Sequence, residues 1–349
     1  MSYLIYGANG YTGGLIAREA ARRGHRPVLA GRDARAVAAL AAELGLEHRS
    51  FALDDPRTLE AGLAGGVTTV LHCAGPFTAT SRPMVEACLR RRAHYLDITG
   101  EIDVFEACAA RDGEARGTGI MLLPGTGFDV VPSDCLAAHL ERRLPAATHL
   151  TLALLPSGRL SRGTATTMVE HAHRGGLIRK GGVLTRVPPG WRTLSVDFGR
   201  GARPVISIPW GDVATAFYST GIPDIEVYVA APASARLSLR LSRFLTPLLR
   251  ARAVKSYLKR RIRRGPPGPG PEERARGRTI IWGEVRDDAG GRAQSRLVGP
   301  EGYQFTVLTA LAALEQVMAG RAPAGFQTPS RAYGPDFVLQ VPGVERVDL

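Results

Sequence analysis

Apolar positions along the first part of the chain alternate between two periods. Short runs of consecutive, often β-branched apolar residues end in glycine or an acid. Each is followed by a longer stretch in which apolar residues recur every three to four positions. Leu4–Tyr6 is the first run; Tyr11–Arg23 follows with helical spacing of Leu15, Ile16 and Ala20 and ends in "RRG", a basic last turn before a C′ glycine. "PVLAG" reads as the next strand and Arg35–Leu44 as a helix closed by Gly45. The strand "EHRSFAL", the helix "PRTLEAGLAG" with Pro56 at its start and the strand "VTTVLHCAG" continue the alternation. A helix over Ser81–Arg92, a strand "HYLDIT", a helix from Ile102 to about Arg111, a strand "GIMLLPG" and a helix over Val131–Leu144 complete it. Strands separated by helices of this length build βαβ units, and so predict a doubly wound α/β domain on a parallel sheet.

Beyond this point the pattern changes. "ARLSLRLSRFLTPLLRARAVKSYLKRRIRRG" sets Leu237, Leu241, Phe244, Leu245, Leu248 and Leu249 on one helical stripe opposite arginines, with Pro247 as a kink or a second start. "GPPGPGPEER" is a stiff connector, and "RTIIWGEVRDDAGGRAQSRLV" reads as a β-hairpin around "DDAGG". Tyr303 opens a long apolar helix carrying Phe305, Leu308, Leu311, Leu314 and Val317. A chain of 349 residues exceeds the size at which one core stops growing. The expectation is a nucleotide-binding domain over 1–130 and a second, α+β domain over 131–349, with the helix near 303–319 free to pack back on the first.

Charge changes the picture in one place. The net charge is +13, yet Arg236 to Arg264 holds eleven Lys/Arg and no acid, so the rest of the chain is close to neutral. A nucleic-acid binder spreads its charge over a face and interleaves aromatics; only Phe244 and Tyr257 lie in this run, so nucleic acid is not expected. The segment fits an amphipathic helix packed on the second domain, a docking face for an acidic carrier protein, or a peripheral contact with an anionic membrane. No signal peptide and no run long and apolar enough to span a membrane is read, and Cys73, Cys88, Cys108 and Cys135 show no CxxC spacing. Reduced thiols in a cytoplasmic protein are the expectation.

The chemistry starts at "SYLIYGANGYTGG". Gly7, Gly10 and Gly13 stand between the first strand and the first helix, where the Rossmann-type dinucleotide fingerprint belongs. Gly7 permits a tight turn, Gly10 lets the backbone approach a pyrophosphate, and Gly13 allows close helix–strand packing. An NAD site places an acid at the tip of the second strand, but "LAGRDAR" has Arg32 there, with Arg35 one turn later. A guanidinium cannot accept from the ribose hydroxyl and suits a 2′-phosphate, which favours NADP(H); Asp33 beside it is placed to cap the helix. Asp54, after the third strand, is placed to meet the adenine edge, and Ala74, Gly75 and Pro76, after the fourth, to lie beside the pyrophosphate and nicotinamide ribose.

In this order "YGANGYTG", "AGR", "HCAGPF", "HYLDITGE" and "LLPGTGFDVVPSD" resemble the saccharopine dehydrogenase-like reductases, and most closely the bacterial branch of trans-acting enoyl reductases. "GPPGPGPEERAR", "WGEVRDDAGG", "EGYQFTVLTALAALEQV" and "GFQTP…YGPDF" extend the resemblance over nearly the whole chain. It implies an N-terminal NADP(H) domain, a second domain for substrate and dimerisation, hydride transfer, and a homodimer. From the family's loop pattern it further implies Asn9, Tyr11 and Thr12 as cofactor contacts, alongside Gly7, Gly10, Gly13, Arg32, Gly75 and Pro76. No YxxxK pair exists, so the proton relay of short-chain dehydrogenases is absent.

Proton-handling groups are expected at the carboxyl ends of the strands: His72, Cys73, Asp97, Thr99, Glu101, Thr126, Phe128, Asp129 and Ser133. Glu101 fits either catalysis or the first turn of a helix, and Asp129 and Ser133 either catalysis or a helix cap. The amides of "PGTGFD" could form an oxyanion hole. Tyr303 could act as an acid or be buried against a backbone partner. His171 and His173 diverge on a helix and lack further ligands, so no metal site is expected; His25, His48, His72, His94, His139 and His149 stand alone. The sequence thus points to an NADPH-dependent reductase of an electrophilic double bond, first the conjugated C=C of an enoyl ester or thioester, small or carrier-bound. A C=N (imine) reductase of saccharopine-reductase type is the second reading. A non-catalytic NADP(H)-binding protein at a membrane or partner surface is the rival from another class.

Overall fold

A computed structural model describes residues 2–171, 174–241 and 251–349. The chain divides into two compact units. The first runs through Val131 and takes in Phe305–Ala332; the second comprises Pro132–Gln304 and Tyr333–Leu349.

The first unit is built on β1 (Ser2–Tyr6), β2 (Val28–Gly31), β3 (His48–Ser50), β4 (Val67–His72), β5 (His94–Asp97) and β6 (Met121–Leu123). Between them stand α1 (Tyr11–Arg22), α2 (Ala34–Leu44), α3 (Pro56–Gly62), α4 (Phe77–Arg91), α5 (Ile102–Ala109) and α6 (Asp112–Thr118). The sheet has seven parallel strands in the order Gly325–Phe326, β6, β5, β4, β1, β2, β3. From β1 the chain moves outward through β2 and β3, then restarts on the other side of β1 with β4. Ligands of open α/β sheets bind at such a reversal, beyond the carboxyl ends of the strands. Leu4, Ile5, Leu29, Leu71, Leu96 and Leu122 are fully buried, as strands covered on both faces require.

Three elements depart from the sequence expectation. The helix expected over Ser81–Arg92 begins at Phe77, because an acid distant in sequence ties down its first amides and Pro83 is tolerated within it. The helix expected from Ile102 to about Arg111 ends at Ala109, and α6 follows as a separate helix containing Gly113 and Gly117. The seventh strand, Gly325–Phe326, is only two residues long, and Asp112 holds it by accepting from Phe326 N at 2.8 Å.

The second unit carries a mixed sheet. Its strands are β7 (His149–Leu155), β8 (Gly176–Lys180), β9 (Val183–Val187), β10 (Thr193–Asp197), β11 (Ala202–Ser207), β12 (Asp224–Ala230), β13 (Arg278–Arg286), β14 (Arg292–Pro300) and Glu345–Asp348. The main path runs β10, β11, β12, β7, β13, β14 and Glu345–Asp348. β13 and β14 pair antiparallel from Arg278↔Pro300 to Arg286↔Arg292, the hairpin expected around "DDAGG". A Cβ on Gly283 would stand 2.6 Å from Leu140, so the helix Val131–Arg143 packs closely on that face of β13. On the opposite face Ala153, Val196, Phe198, Val205, Tyr228 and Trp282 form a buried cluster. This is the expected α+β arrangement.

Helices Ala233–Leu241 and Arg252–Arg264 carry the described parts of the basic stretch 236–264. Arg243, Phe244, Leu245, Pro247, Leu248, Leu249 and Arg250, like His173, lie outside the described residues. Leu237 and Leu241 are exposed, at 59% and 48%, which is not the packed apolar stripe of the amphipathic reading. Lys255 bonds the carbonyl and the carboxylate of Glu170 at 3.1 Å each, and Lys259 pairs with the same carboxylate. All four cysteines are free, and no helix among the described residues is long and apolar enough to cross a membrane.

Candidate functional site

The turn after β1 is held by its own amides: Gly7 N and Ala8 N donate to Ala30 O at 2.8 and 3.1 Å, and Gly10 N donates to Gly7 O at 2.9 Å. Gly7 has φ +80°, and a Cβ there would stand 2.9 Å from Ala74 N and Ala74 Cβ. A Cβ on Gly13 would stand 2.3 Å from Gly7 O, a distance no side chain can occupy. Both positions therefore require glycine. Asn9 and Gly10 are exposed, and Tyr11 and Thr12 half-buried. No side chain caps α1 and no acid lies in its first turn, so the positive end of the helix dipole is left uncompensated beside an open glycine turn. That cradle fits a dinucleotide pyrophosphate.

Arg32, at the tip of β2, is exposed and has no hydrogen bond or ion pair among the described residues. Asp33 caps α2 by accepting from Ala36 N at 3.0 Å, so the two neighbours divide the tasks the sequence left open between them. Tyr6 donates to Phe51 O at 3.0 Å; burial pushes its phenol up to about 12, with Arg32 pulling it down and Asp54 pushing it up. Arg32 and the exposed Asp54 thus act on one phenol, and the fold brings them together at the edge of the sheet.

The loop Ala74-Gly75-Pro76 follows β4, with the Gly75–Pro76 peptide cis. Thr80 Oγ1 donates to this loop's carbonyls, Ala74 O at 2.6 Å and Pro76 O at 3.1 Å, and lies 3.0 Å from His72 Nε2. A hydroxyl has one proton, so His72 Nε2 is assigned as the donor to Thr80. Burial drives the His72 pKa down to about 3, so the ring is a neutral post that steadies the loop. Burial also pushes the Cys73 thiol well up, which leaves it unreactive.

Glu101 does not serve the first turn of its own helix. Its carboxylate accepts from Phe77 N at 2.7 Å and Thr78 N at 2.8 Å, so it caps α4 rather than its own helix α5. Asp97, fully buried, accepts from Tyr95 Oη at 2.6 Å, Thr99 N at 2.9 Å and Gly125 N at 2.8 Å. Burial pushes Asp97 up to about 6 against the pull of these donors, with Glu101 adding to the rise. In "PGTGFD", Thr126 N and Thr126 Oγ1 donate to Asp97 O at 2.7 Å each, and Phe128 N donates to Thr306 Oγ1 at 3.1 Å. The amides of Gly125, Thr126 and Phe128 are consumed internally, so these three are not available to an oxyanion hole.

Asp129 is the exception. Among the described residues its carboxylate has no hydrogen-bond donor, and it packs so tightly on Gly100 that a Cβ there would stand 2.8 Å from Oδ2. Loss of solvation pushes its pKa up to about 6, with the charge of Glu101 adding to the rise. Asp129 is half-buried, at the carboxyl edge of the sheet with the other loops. A carboxyl so placed can hold a proton near neutral pH and release it.

Ser133 falls inside the helix Val131–Arg143. Tyr303 belongs to the second unit, half-buried, where its hydroxyl accepts from Ser161 N at 2.5 Å and meets Thr164 Oγ1 at 3.0 Å. Glu301 accepts from Tyr303 N and Gln304 N at 2.9 and 3.1 Å and so caps that helix. Among the described residues no cluster of three His, Cys, Asp or Glu could hold a metal. Thr80 and Thr306, which fasten two of the loops, carry no sequence signal: each stands within a helix beside a second threonine, and nothing local singles it out.

Residues 3–123 match the family model of the saccharopine dehydrogenase NADP binding domain. Within the first unit, these residues are similar to the NADP binding domain of that family. NADP(H) is accordingly its cofactor. Among curated relatives, the trans-acting enoyl reductase of Mycobacterium leprae (strain TN) is 35% identical over 149 residues, 40% of this chain and 35% of that protein. The trans-acting enoyl reductase of Mycobacterium ulcerans (strain Agy99) is 31% identical over 188 residues, 48% of this chain and 43% of that protein. The chain thus matches less than half the length of these relatives. Among solved structures, the saccharopine dehydrogenase (L-Glu forming) of Saccharomyces cerevisiae superposes with a TM-score of 0.68 over 100% of this chain and 99% of that one, at 11% identity. That likeness is one of fold.

Proposed function

We propose that the chain is an NADPH-dependent reductase of conjugated C=C bonds in enoyl esters or thioesters. The observation that carries this reading is the presence, in one chain, of a match to an NADP-binding domain and of similarity to relatives named enoyl reductases. NADPH supplies the hydride, which adds to the β carbon. The residues supply the rest. The glycine turn at Gly7, Gly10 and Gly13, with Asn9, Tyr11 and Thr12, seats the pyrophosphate, and the unpaired Arg32 takes the 2′-phosphate. Asp54 borders the adenine, and Ala74, Gly75 and Pro76, fixed by His72, Thr80 and Glu101, border the nicotinamide ribose.

Reduction of an enoyl ester also requires a proton at the α carbon. We assign its delivery to Asp129, whose carboxyl is raised toward neutrality and lacks a competing donor. Glu101 is a positioning residue in this reading, and Tyr303 a helix-end residue of the unit that receives the substrate and forms the homodimer. The relatives' names describe enoyl reductases that act in trans. For this chain we take the acyl group to arrive on a separate acidic carrier in the cytoplasm, met by the basic stretch 236–264.

The test follows loss of NADPH absorbance with crotonyl-pantetheine, a preformed cyclic imine, and no acceptor. Consumption with the enoyl thioester alone is expected. Consumption with the imine alone would move the assignment to C=N, and tight NADPH binding without consumption on either would make the chain a non-catalytic binder.

A further inference from the structure

Side chains alternate across a strand, so Trp282, Glu284 and Arg286 of β13 point away from the helix that packs on Gly283. Their register partners on β14 are Arg296, Gln294 and Arg292. These residues, with Leu194 and Leu349, line a pocket of about 410 Å³ on the second unit, within the size range of small-molecule sites.

Its polar wall is organised by one carboxylate. Glu284, with a side chain only 1% exposed, accepts from Arg286 Nε, Arg292 Nε and Gln294 Nε2 at 2.5 Å each. Two guanidinium groups are thereby fixed on the rim. The third, Arg296, is half-buried and has no hydrogen bond or ion pair among the described residues. Space for it is made deliberately by the backbone: Gly199 has φ +92°, and a Cβ there would stand 1.8 Å from Arg296 Nη1. Asp197 secures that bend by accepting from Gly199 N at 2.7 Å.

A half-buried cation without a counter-ion is unfavourable unless a ligand completes it. Glu284 engages two of the three guanidinium groups, and Arg296 is the one with no ion pair among the described residues, which suits it to an anionic ligand. Leu194, 38% exposed, and Trp282 supply an apolar wall beside it. We infer that this pocket binds a small carboxylic acid with an apolar tail, its carboxylate forked by Arg296 and its tail laid against Trp282 and Leu194.

Calorimetry on the full chain saturated with NADPH tests this with hexanoate as the probe and hexanol as its uncharged match. Saturation keeps the phosphate-binding turn of the first unit filled. Hexanoate is not a hydride acceptor, so the outcome is independent of the reductase assignment. Hexanoate is expected to bind, hexanol at least about tenfold more weakly, and Arg296→Gln is expected to weaken hexanoate by about tenfold or more. Should that variant not fold, Leu194→Glu on the same wall is expected to repel the anion to a similar degree. No heat with the wild-type chain would overturn the inference. So would equal hexanoate affinity in the Arg296→Gln variant, or inorganic phosphate displacing hexanoate at equal concentration.

Discussion

Glu101 and Phe77 are joined by a 2.7 Å hydrogen bond from the first amide of α4 to a carboxylate on the loop after β5. Thr78 N uses the other oxygen of the same carboxylate at 2.8 Å. One acid thereby fastens the start of the helix that follows Ala74-Gly75-Pro76, and the position of that loop depends on it.

Glu101→Gln replaces one acceptor oxygen with an NH₂ group and leaves a helix amide facing a donor. A loss of about 1–3 kcal/mol in unfolding free energy is expected, with NADPH affinity falling as the loop shifts. Denaturant unfolding and calorimetry measure the two. Full stability and cofactor affinity with abolished turnover would instead place Glu101 in the chemistry.

Arg32→Asp removes the cation expected to meet the 2′-phosphate and puts an anion there. NADPH affinity should fall at least ~10-fold while NADH affinity hardly changes, because a charge-assisted hydrogen bond contributes about 1.5–3 kcal/mol. Unaltered discrimination in this variant would show that another group reads the phosphate.

Asp129 gives a pH signature with a definite sign. Its pKa is raised to about 6 in the folded chain, so it is a proton donor below that value and spent above it. Wild-type kcat/KM for an enoyl thioester should fall about tenfold per pH unit above about pH 6. Asp129→Asn should lower kcat, lose this limb and retain NADPH binding. Stability moves oppositely to the usual carboxylate. The folded chain binds this proton more tightly than the unfolded chain, so the group destabilises the fold as pH rises from about 4 through 6. Asp129→Asn should therefore be more stable than wild type by up to ~3 kcal/mol near pH 8, and equal to it below pH 4. An unchanged pH profile in the variant removes Asp129 from the proton path.

What the sequence discloses and what it hides divide along the range of the interactions. Gly7 and Gly13 are legible because their requirement is local: a positive φ in one case and a carbonyl 2.3 Å from the missing Cβ in the other. The alternation that predicts the parallel sheet is local too. Gly325–Phe326 and α6 escape notice because Asp112 joins them across more than two hundred residues. "PGTGFD" reads as a loop of free amides because nothing in the sequence places Asp97 and Thr306 against those amides. Glu101 reads as a first-turn acid of α5, whereas the helix it caps begins 24 residues earlier. Composition alone cannot rank such partners.

The basic stretch permits a prediction that separates carrier docking from ordinary substrate binding. On the helix Arg252–Arg264, Lys255 and Lys259 are already committed to Glu170, so they are poor candidates for meeting a partner. Arg260, Arg263 and Arg264 are exposed and have no ion pair among the described residues, so their charge is available to an acidic surface. Such charges act mainly on encounter and are screened by salt. Reversing all three to Glu should slow turnover of a carrier-borne enoyl substrate by about tenfold or more at low ionic strength, with the effect shrinking as salt rises. Crotonyl-pantetheine, which has no carrier, should be turned over at the wild-type rate. An equal loss on both substrates would show that these arginines serve the fold or the site itself, and the acidic carrier would then have no docking face on this helix.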